Sequence, residues 1–180
     1  MFYIIVGSIT FIAFILLIIV IYYNKFQFSI IKIDEAEENA EIFLNKKYEL
    51  IKRIVPIIRK ELKDKELVSE IDDDFESLNH FEFNDKLSKI DNILFKTLDD
   101  NEKLLKSEKI VNIINEFNDN EEDLVASIKF YNDTVVDFNK LIVSFPSNII
   151  RLIFRYKRKE FYNHEKREIY EILKDEEKVK

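Results

Sequence analysis

The chain contains no cysteine and only two histidines, which removes most of the side chains that carry covalent and metal chemistry. Without cysteine there is no disulfide, no Cys-ligated zinc or iron–sulfur centre and no thiol nucleophile. His80 and His164 alone leave few candidates for acid–base or nucleophilic catalysis. No glycine-rich loop is present to hold a nucleotide phosphate. We therefore expect a protein that is not an enzyme and that has no catalytic residue, cofactor or metal.

Glycine and proline are also nearly absent, with one glycine and two prolines among 180 residues. Turns and sheet corners usually need these residues, so their scarcity argues against an all-β or α/β domain. Charged residues make up 35% of the chain, which suits long helices with solvated faces. The composition therefore predicts an all-α protein.

The first 24 residues contain no charged side chain. About 20 apolar residues in a helix cross the ~30 Å hydrocarbon core of a bilayer. A cleaved signal would have a basic start, a shorter apolar core and a small-residue cleavage site, whereas this run is long and ends in Tyr22-Tyr23-Asn24-Lys25. Residues 1–24 are therefore predicted to be a retained single-pass transmembrane anchor in the cell membrane.

Basic residues follow the anchor and none precedes it, as Lys25 and Lys32 come soon after the run. Basic flanks stay on the cytoplasmic side of a membrane. This pattern predicts an N-terminus outside the cell and a C-terminal domain in the cytoplasm. The formal net charge of -7 argues against nucleic acid as a partner.

Apolar residues recur at three- and four-residue steps after the anchor, which predicts amphipathic helices. The expected helices are a long one from about Ile31 to Leu67, with a kink or a break at Pro56, and three more at about Asn84–Leu98, Leu104–Phe145 and Ile149–Tyr156. Asn84 is the expected cap of the second helix, and Ser147 or Asn148 that of the last. Residues 68–83 read as an acidic turn or link.

Helices of this length must bury their apolar stripes against one another, and short connections favour antiparallel neighbours. The predicted architecture is therefore a transmembrane helix followed by an elongated antiparallel up-and-down helical bundle. The expected parts are an anchor at 1–24, the bundle at 25–162 and a charged C-terminal tail at 163–180.

Two blocks of the chain carry recognisable motifs, Ile33–Ala36 with Tyr48–Ile51 after the predicted anchor, and the stretch from Tyr131 to Tyr162. They resemble the LemA family of bacterial single-pass membrane proteins, and the first block resembles the family's "VDEA…L…RYDLIPNLV" opening. Tyr131–Asn139 resembles its "YNxAVxxYN" motif, and Phe145–Ile150 resembles "FPxNLIA". Phe154–Lys157 with Phe161-Tyr162 resembles "LFGFKxxPYF". The resemblance implies a membrane-anchored helical bundle, and it implies no agreed catalytic activity or cofactor.

Two groups of side chains suggest a metal site only weakly. Asp72, Asp74 and Glu76 alternate as in a calcium loop, but the glycine and the later bidentate glutamate of such a loop are missing. Glu160, His164 and Glu168 share a helical face without forming a zinc-protease pattern. A solvated acidic turn and a surface ion-pair row are the favoured interpretations. His80 shows no evident partner.

Tyr131-Asn132 and Phe138-Asn139 repeat seven residues apart, which places them on one helical stripe. The aromatic rings are expected in the core. The asparagines are expected to fix helix register by hydrogen-bonding to a neighbouring helix, and the alternative is a docking edge for a partner. The full candidate set for register or partner docking comprises Tyr131, Asn132, Phe138, Asn139, Phe145, Pro146 and Asn148.

Basic and large apolar residues are interleaved in segment 149–159. An amphipathic segment of this kind suits an anionic lipid surface. The equally favoured alternative is that Leu152, Ile153 and Phe154 cap the bundle core while the cations stay in water. The candidate lipid-facing residues are Arg151, Arg155, Lys157, Arg158 and Lys159.

These observations favour a non-enzymatic, membrane-anchored helical bundle that acts as an interaction or scaffold protein at the membrane. The alternative is a protein that engages the lipid surface through segment 149–159. The expected partners are the lipid bilayer and a protein of unknown identity, and self-association into a homo-oligomer is left open.

Overall fold

A computed structural model describes residues 1–64, 66–72, 75 and 77–162, and every regular element in that part of the chain is helical. This confirms the all-α class and the order in which a long apolar N-terminal helix precedes shorter helices. The four α-helices are α1 (Phe2–Leu62), α2 (His80–Asp100), α3 (Glu108–Val143) and α4 (Ser147–Phe154). Two short 3-10 helices lie at Ser69–Asp72 and Glu102–Lys106.

Helix α1 joins the predicted anchor and the first amphipathic helix into one element of 61 residues. Its sequence holds no proline before Pro56, and its only glycine is Gly7, so nothing interrupts the hydrogen-bond ladder over most of its length. The helix continues through Pro56, which excludes the predicted break. It ends at Leu62 rather than near Leu67, because Lys63 adopts a left-handed conformation with φ of 54°.

The chain divides into two compact units, one formed by residues 37–129 and the other by residues 1–36 together with the C-terminal part from Phe130. In the first unit, α1, α2 and α3 bury a shared apolar core. Tyr48 contacts Phe83 with ring centroids 5.8 Å apart, and Phe95 contacts Phe117 at 5.3 Å. The fully or almost fully buried core side chains include Leu44, Ile51, Ile58, Leu87, Ile90, Leu94, Ile110 and Leu124.

The contacts in this unit show that α1 and α2 run in the same direction, which differs from the expected up-and-down order. His80, at the start of α2, lies beside Glu37, and Asp91 lies beside Lys47 further along α1. The connection from Lys63 to Asn79 is long enough to return along the helix, since an extended residue spans about 3.3 Å and a helical one about 1.5 Å. Helix α3 runs antiparallel to α1, because Asn120 reaches Phe43 and Glu116 reaches Arg53.

In the second unit, the first part of α1 packs against the end of α3 and the segment that follows it. Phe26 is completely buried and meets the Phe138 ring at 5.9 Å and the Tyr156 ring at 4.5 Å. The other buried apolar residues of this unit include Ile33, Val135, Ile142 and Ile150. A cis peptide bond joins Phe145 to Pro146 between α3 and α4.

The caps of two helices differ from the predicted ones. Asn79 caps α2, because its side chain accepts the N–H groups of Phe81 and Glu82, both at 3.0 Å. Glu82 accepts the N–H of Asn79 in return, which completes a capping box. Asn84, the predicted cap, lies inside the helix.

At α4 the N-cap position is Pro146, and no side chain caps the helix there. The predicted cap Ser147 is buried instead, and its hydroxyl donates towards the carbonyl oxygens of Leu141 and Ser144 at 2.6 and 2.8 Å. The hydroxyl therefore serves the end of α3 rather than the start of α4.

Candidate functional site

The anchor part of α1 presents an uninterrupted exposed apolar surface. All side chains of residues 1–17 are exposed, and the first buried residue of the helix is Phe26. Among the described residues, α1 is the one helix that is long and apolar enough to cross a membrane. An apolar surface of this extent is far larger than the patches that soluble monomers leave open to water.

Helix α4 is attached to α1 at the point where the uncharged run ends. The Phe154 ring lies against the Tyr23 ring, with centroids 4.9 Å apart. One turn further along α1, Gln27 Nε2 donates a 2.9 Å hydrogen bond to the Tyr156 hydroxyl. These contacts place α4 next to the end of the uncharged run of α1.

Most of the apolar side chains of α4 point away from the core. Ile150 and Ser147 are its buried residues, whereas Leu152 is 70% exposed and Ile153 is 57% exposed. Phe145, just before the helix, is 80% exposed. The alternative in which these residues cap the bundle core is therefore wrong for Leu152 and Ile153, whereas Phe154 packs against Tyr23. We name the exposed surface made by Phe145, Ile149, Leu152, Ile153 and Phe154 the α4 apolar face.

The basic residues of segment 149–159 do not all lie on one helix. Helix α4 ends at Phe154, and Arg155 terminates it in a left-handed conformation with φ of 57°. Among the predicted lipid-facing cations, Arg151 belongs to α4, and Arg155 and Lys157 are exposed just after it. Arg158 and Lys159 are partly buried in the non-helical segment that follows. The cations thus flank the α4 apolar face at its C-terminal end.

The paired Tyr-Asn and Phe-Asn residues of α3 hold the C-terminal segment. Asn132 Oδ1 accepts the N–H of Tyr162 at 3.0 Å, and Tyr131 donates its hydroxyl to the Glu160 carbonyl at 3.1 Å. Asn139 bonds to both backbone groups of Lys159. Tyr131, Asn132 and Phe138 are buried, and both asparagines pair with the backbone of this non-helical segment rather than with a neighbouring helix.

The remaining members of this candidate set lie around the α3–α4 turn. Phe145 is exposed, Pro146 follows the cis bond, and Asn148 is partly buried and donates its N–H to Ser144 O at 2.8 Å. Tyr131, Asn132 and Asn139 therefore all bond to the backbone of residues 159–162. Phe145 instead belongs to the α4 apolar face.

A buried charged cluster joins the three helices of the 37–129 unit. Lys47 is 2% exposed, and its ammonium group contacts the Asp91 carboxylate and lies 2.8 Å from Glu121 Oε2. It also lies 5.5 Å from the centre of the Phe117 ring. Burial raises the pKa of Asp91 to about 6, although the nearby Lys47 opposes this rise. This cluster was not predicted from the sequence.

Of the predicted weak metal candidates, Asp72 ends a 3-10 helix, whereas Asp74, Glu76, His164 and Glu168 lie outside the described residues. His80 does have partners, contrary to expectation. It is the first residue of α2, and its Nδ1 lies 2.8 Å from Glu37 Oε1 and 3.9 Å from Glu41 Oε1.

Comparison with known families identifies the chain. The LemA family model matches residues 36–173, which cover most of the chain. The chain belongs to the LemA family. No curated protein and no solved structure matches it. The LemA match includes α2 and all of α3, so it extends through the middle of the chain as well as the two blocks that carry the sequence resemblance.

LemA membership supports a membrane-associated protein whose molecular function is undefined. The match begins at Ala36, after the uncharged run, so the anchor is supported by its own composition and exposure. In this LemA-family chain, the exposed apolar surfaces of residues 1–17 and of α4 lie in one unit. The buried charged cluster around Lys47 lies in the other unit.

Proposed function

We propose that this LemA-family chain is a membrane-anchored, non-enzymatic protein that acts by binding partners at the cytoplasmic face of the membrane. The observation that carries the proposal is the exposed, uncharged surface of residues 1–17 on a helix that continues into the bundle. Lipid tails are the environment that satisfies such a surface. Lys25 and Lys32 after the span support the cytoplasmic placement of the bundle.

Membrane extraction tests the anchor. Membranes from cells that make the full chain are washed with high salt and then with alkaline carbonate, and are finally dissolved in detergent. We expect the protein to stay with the membranes through both washes and to be released by detergent. A double variant, Ile12→Lys with Leu16→Lys, provides the matched control and should appear in the soluble fraction. Recovery of the unmodified chain in the salt wash would contradict the proposal.

A second candidate function, engagement of the lipid surface, is supported by the α4 apolar face. Burial of apolar area contributes about 25 cal/mol per Å², so large side chains at 57–80% exposure favour a site that removes them from water. The Tyr23–Phe154 contact holds this face beside the end of the membrane span. Arg151 and Arg155 lie where anionic headgroups would meet them.

The lack of native cysteine makes this second function directly measurable with a single introduced thiol. Leu152→Cys is labelled with an environment-sensitive fluorophore, and the full chain is placed in vesicles that contain a lipid-attached quencher. We expect strong quenching at position 152. Phe130→Cys is the control, since Phe130 is 51% exposed on α3 in the same unit, well beyond Phe138. Equal quenching at the two positions would exclude insertion of the α4 apolar face.

A further inference from the structure

We propose that Glu37, Glu41 and His80 form a binding site for a divalent transition-metal ion, with Zn²⁺ as the ion of choice. All three residues belong to the 37–129 unit, so the proposal is independent of any lipid contact. Each residue offers one donor atom, and the three donor atoms lie within 4.8 Å of one another.

The spacing of the two glutamates places their carboxylates together. Glu37 and Glu41 are four residues apart on α1, so they occupy neighbouring positions on one helical face. Two negative charges in this arrangement repel each other. No basic residue lies between Lys32 and Lys46. The Glu37 and Glu41 carboxylates therefore present a local negative charge that favours a cation.

The third donor comes from a different helix, at a position that local structure fixes. His80 is the first residue of α2, directly after Asn79, whose capping box with Glu82 defines where the helix begins. The imidazole ring also packs against the Phe81 ring at 4.0 Å between centroids. Because the capping box fixes the backbone of His80, its imidazole ring is held beside the two carboxylates.

The distances between the donor atoms allow one ion to be shared by all three side chains. His80 Nδ1 lies 2.8 Å from Glu37 Oε1, but 3.9 Å from Glu41 Oε1, which is beyond hydrogen-bond distance. One Nδ1–H group therefore serves one of the two carboxylates. In a tetrahedral zinc site with bonds of about 2.0–2.1 Å, neighbouring donor atoms lie about 3.4 Å apart. The observed separations lie on both sides of this value, so small side-chain rotations reach it.

The donor types select the class of ion. Calcium and magnesium take oxygen ligands, whereas imidazole suits zinc, iron and related metals. Three protein donors leave the fourth position of a tetrahedral zinc ion to water. The side chains are accessible to an ion from solution, with 18% exposure at His80, 26% at Glu37 and 47% at Glu41.

Zinc titration of the full chain in detergent micelles tests the site. The protein is stripped with a chelator, and ZnCl₂ is added in competition with a chromophoric chelator at fixed neutral pH. We expect one saturable site per chain. We expect the affinity to fall at least about 10-fold in His80→Ala and in Glu41→Gln, since loss even of groups that support a ligand costs 10–100-fold. Zinc should also raise the Tm of the unmodified chain and not that of His80→Ala.

Two matched variants keep the result specific. Glu38→Gln removes an exposed carboxylate from the same turn of α1, and His164→Ala removes the other histidine of the chain. Both should bind zinc as the unmodified chain does. Alanine is a good first residue for a helix, so His80→Ala is expected to keep α2, and circular dichroism checks this. The absence of saturable binding, or binding that is lost in His164→Ala and kept in His80→Ala, would overturn the proposal.

Discussion

Asn139 on α3 makes two hydrogen bonds to Lys159, donating from Nδ2 to the carbonyl at 2.9 Å and accepting the N–H at Oδ1 at 3.0 Å. The Asn139 amide thus bonds to both the N–H and the carbonyl of one residue, as a neighbouring backbone would in a β-sheet. Segment 157–162 has no regular secondary structure, so these bonds supply the partners that its buried backbone groups need. Segment 157–162 thus depends on α3 for its conformation.

Replacement of Asn139 by alanine should therefore loosen segment 157–162. Each lost hydrogen bond costs about 0.5–1.5 kcal/mol, so the expected loss of unfolding free energy is about 1–3 kcal/mol. Chemical denaturation of the full chain in micelles, followed by circular dichroism, measures it. Asn115→Ala, an exposed asparagine of the same helix, is the control and should change stability little. Equal stability of both variants would show that the pairing contributes nothing.

Lys47→Met should be among the most destabilising substitutions in the 37–129 unit. Methionine fills a similar volume but leaves the Asp91 carboxylate buried without its counter-charge. Breaking a buried ion pair in this way costs about 3–5 kcal/mol. The neighbouring Lys46 is exposed, so Lys46→Met should have almost no effect. A small cost at position 47, measured by the same denaturation, would contradict the buried cluster.

The stability of the protein should carry a pH dependence that belongs to Asp91. Its pKa in the folded state is about 6, above the ordinary value of 3.8, so the folded state holds this proton more tightly than the unfolded state. Its contribution is therefore most favourable below about pH 4 and is lost as the pH rises to about 6. The full change is on the order of 3 kcal/mol, since one pKa unit corresponds to about 1.4 kcal/mol.

The measurement compares the unmodified chain with Asp91→Asn between pH 4 and pH 7. The stability difference between the two proteins isolates Asp91 from the other carboxyl groups. We expect the unmodified chain to lose stability relative to Asp91→Asn as the pH rises through this interval. A difference that stays constant, or one that changes in the opposite direction, would refute the raised pKa.

Asn79→Ala should weaken the start of α2. Loss of a capping side chain costs about 1 kcal/mol, and the capping box with Glu82 is lost with it. Asn84→Ala is a sharp control, because Asn84 lies inside the helix, where alanine is the best helix former. Thermal unfolding should therefore show a lower Tm for Asn79→Ala and no decrease for Asn84→Ala. The reverse order would restore Asn84 as the cap.

Much of this fold follows from local sequence patterns. The uncharged run and the apolar stripe that includes Ala40, Leu44 and Ile51 predict α1, because helical periodicity is a local property. The true start of α2 was also present in the sequence, since Asn79 and Glu82 have the Asn-x-x-Glu spacing of a capping box. It was missed because the apolar periodicity becomes clear only from Leu87 onward.

The parallel arrangement of α1 and α2 could not be predicted from local sequence patterns. It depends on the path of the connection from Lys63 to Asn79, and no local pattern determines that path. Short connections favour antiparallel neighbours, and this connection is not short.

The buried cluster and the His80 site are likewise products of tertiary structure. Lys47 lies on the apolar stripe between Leu44 and Ile51, which is a signal that it is buried. Its partners Asp91 and Glu121 come from two other helices, so the sequence does not reveal the pairing. His80 likewise meets Glu37 and Glu41 only because α1 and α2 run in parallel.

The most direct test of the central claim is the accessibility of one introduced cysteine in intact cells. Val125 is 58% exposed in the bundle, and the chain has no other thiol, so Val125→Cys reports the side of the membrane that holds the bundle. The cells are treated with a membrane-impermeant thiol reagent, and the protein is recovered from carbonate-washed membranes. We predict no labelling in intact cells and full labelling after permeabilisation. Labelling in intact cells, or absence of the protein from the washed membranes, would contradict a bundle anchored at the cytoplasmic face.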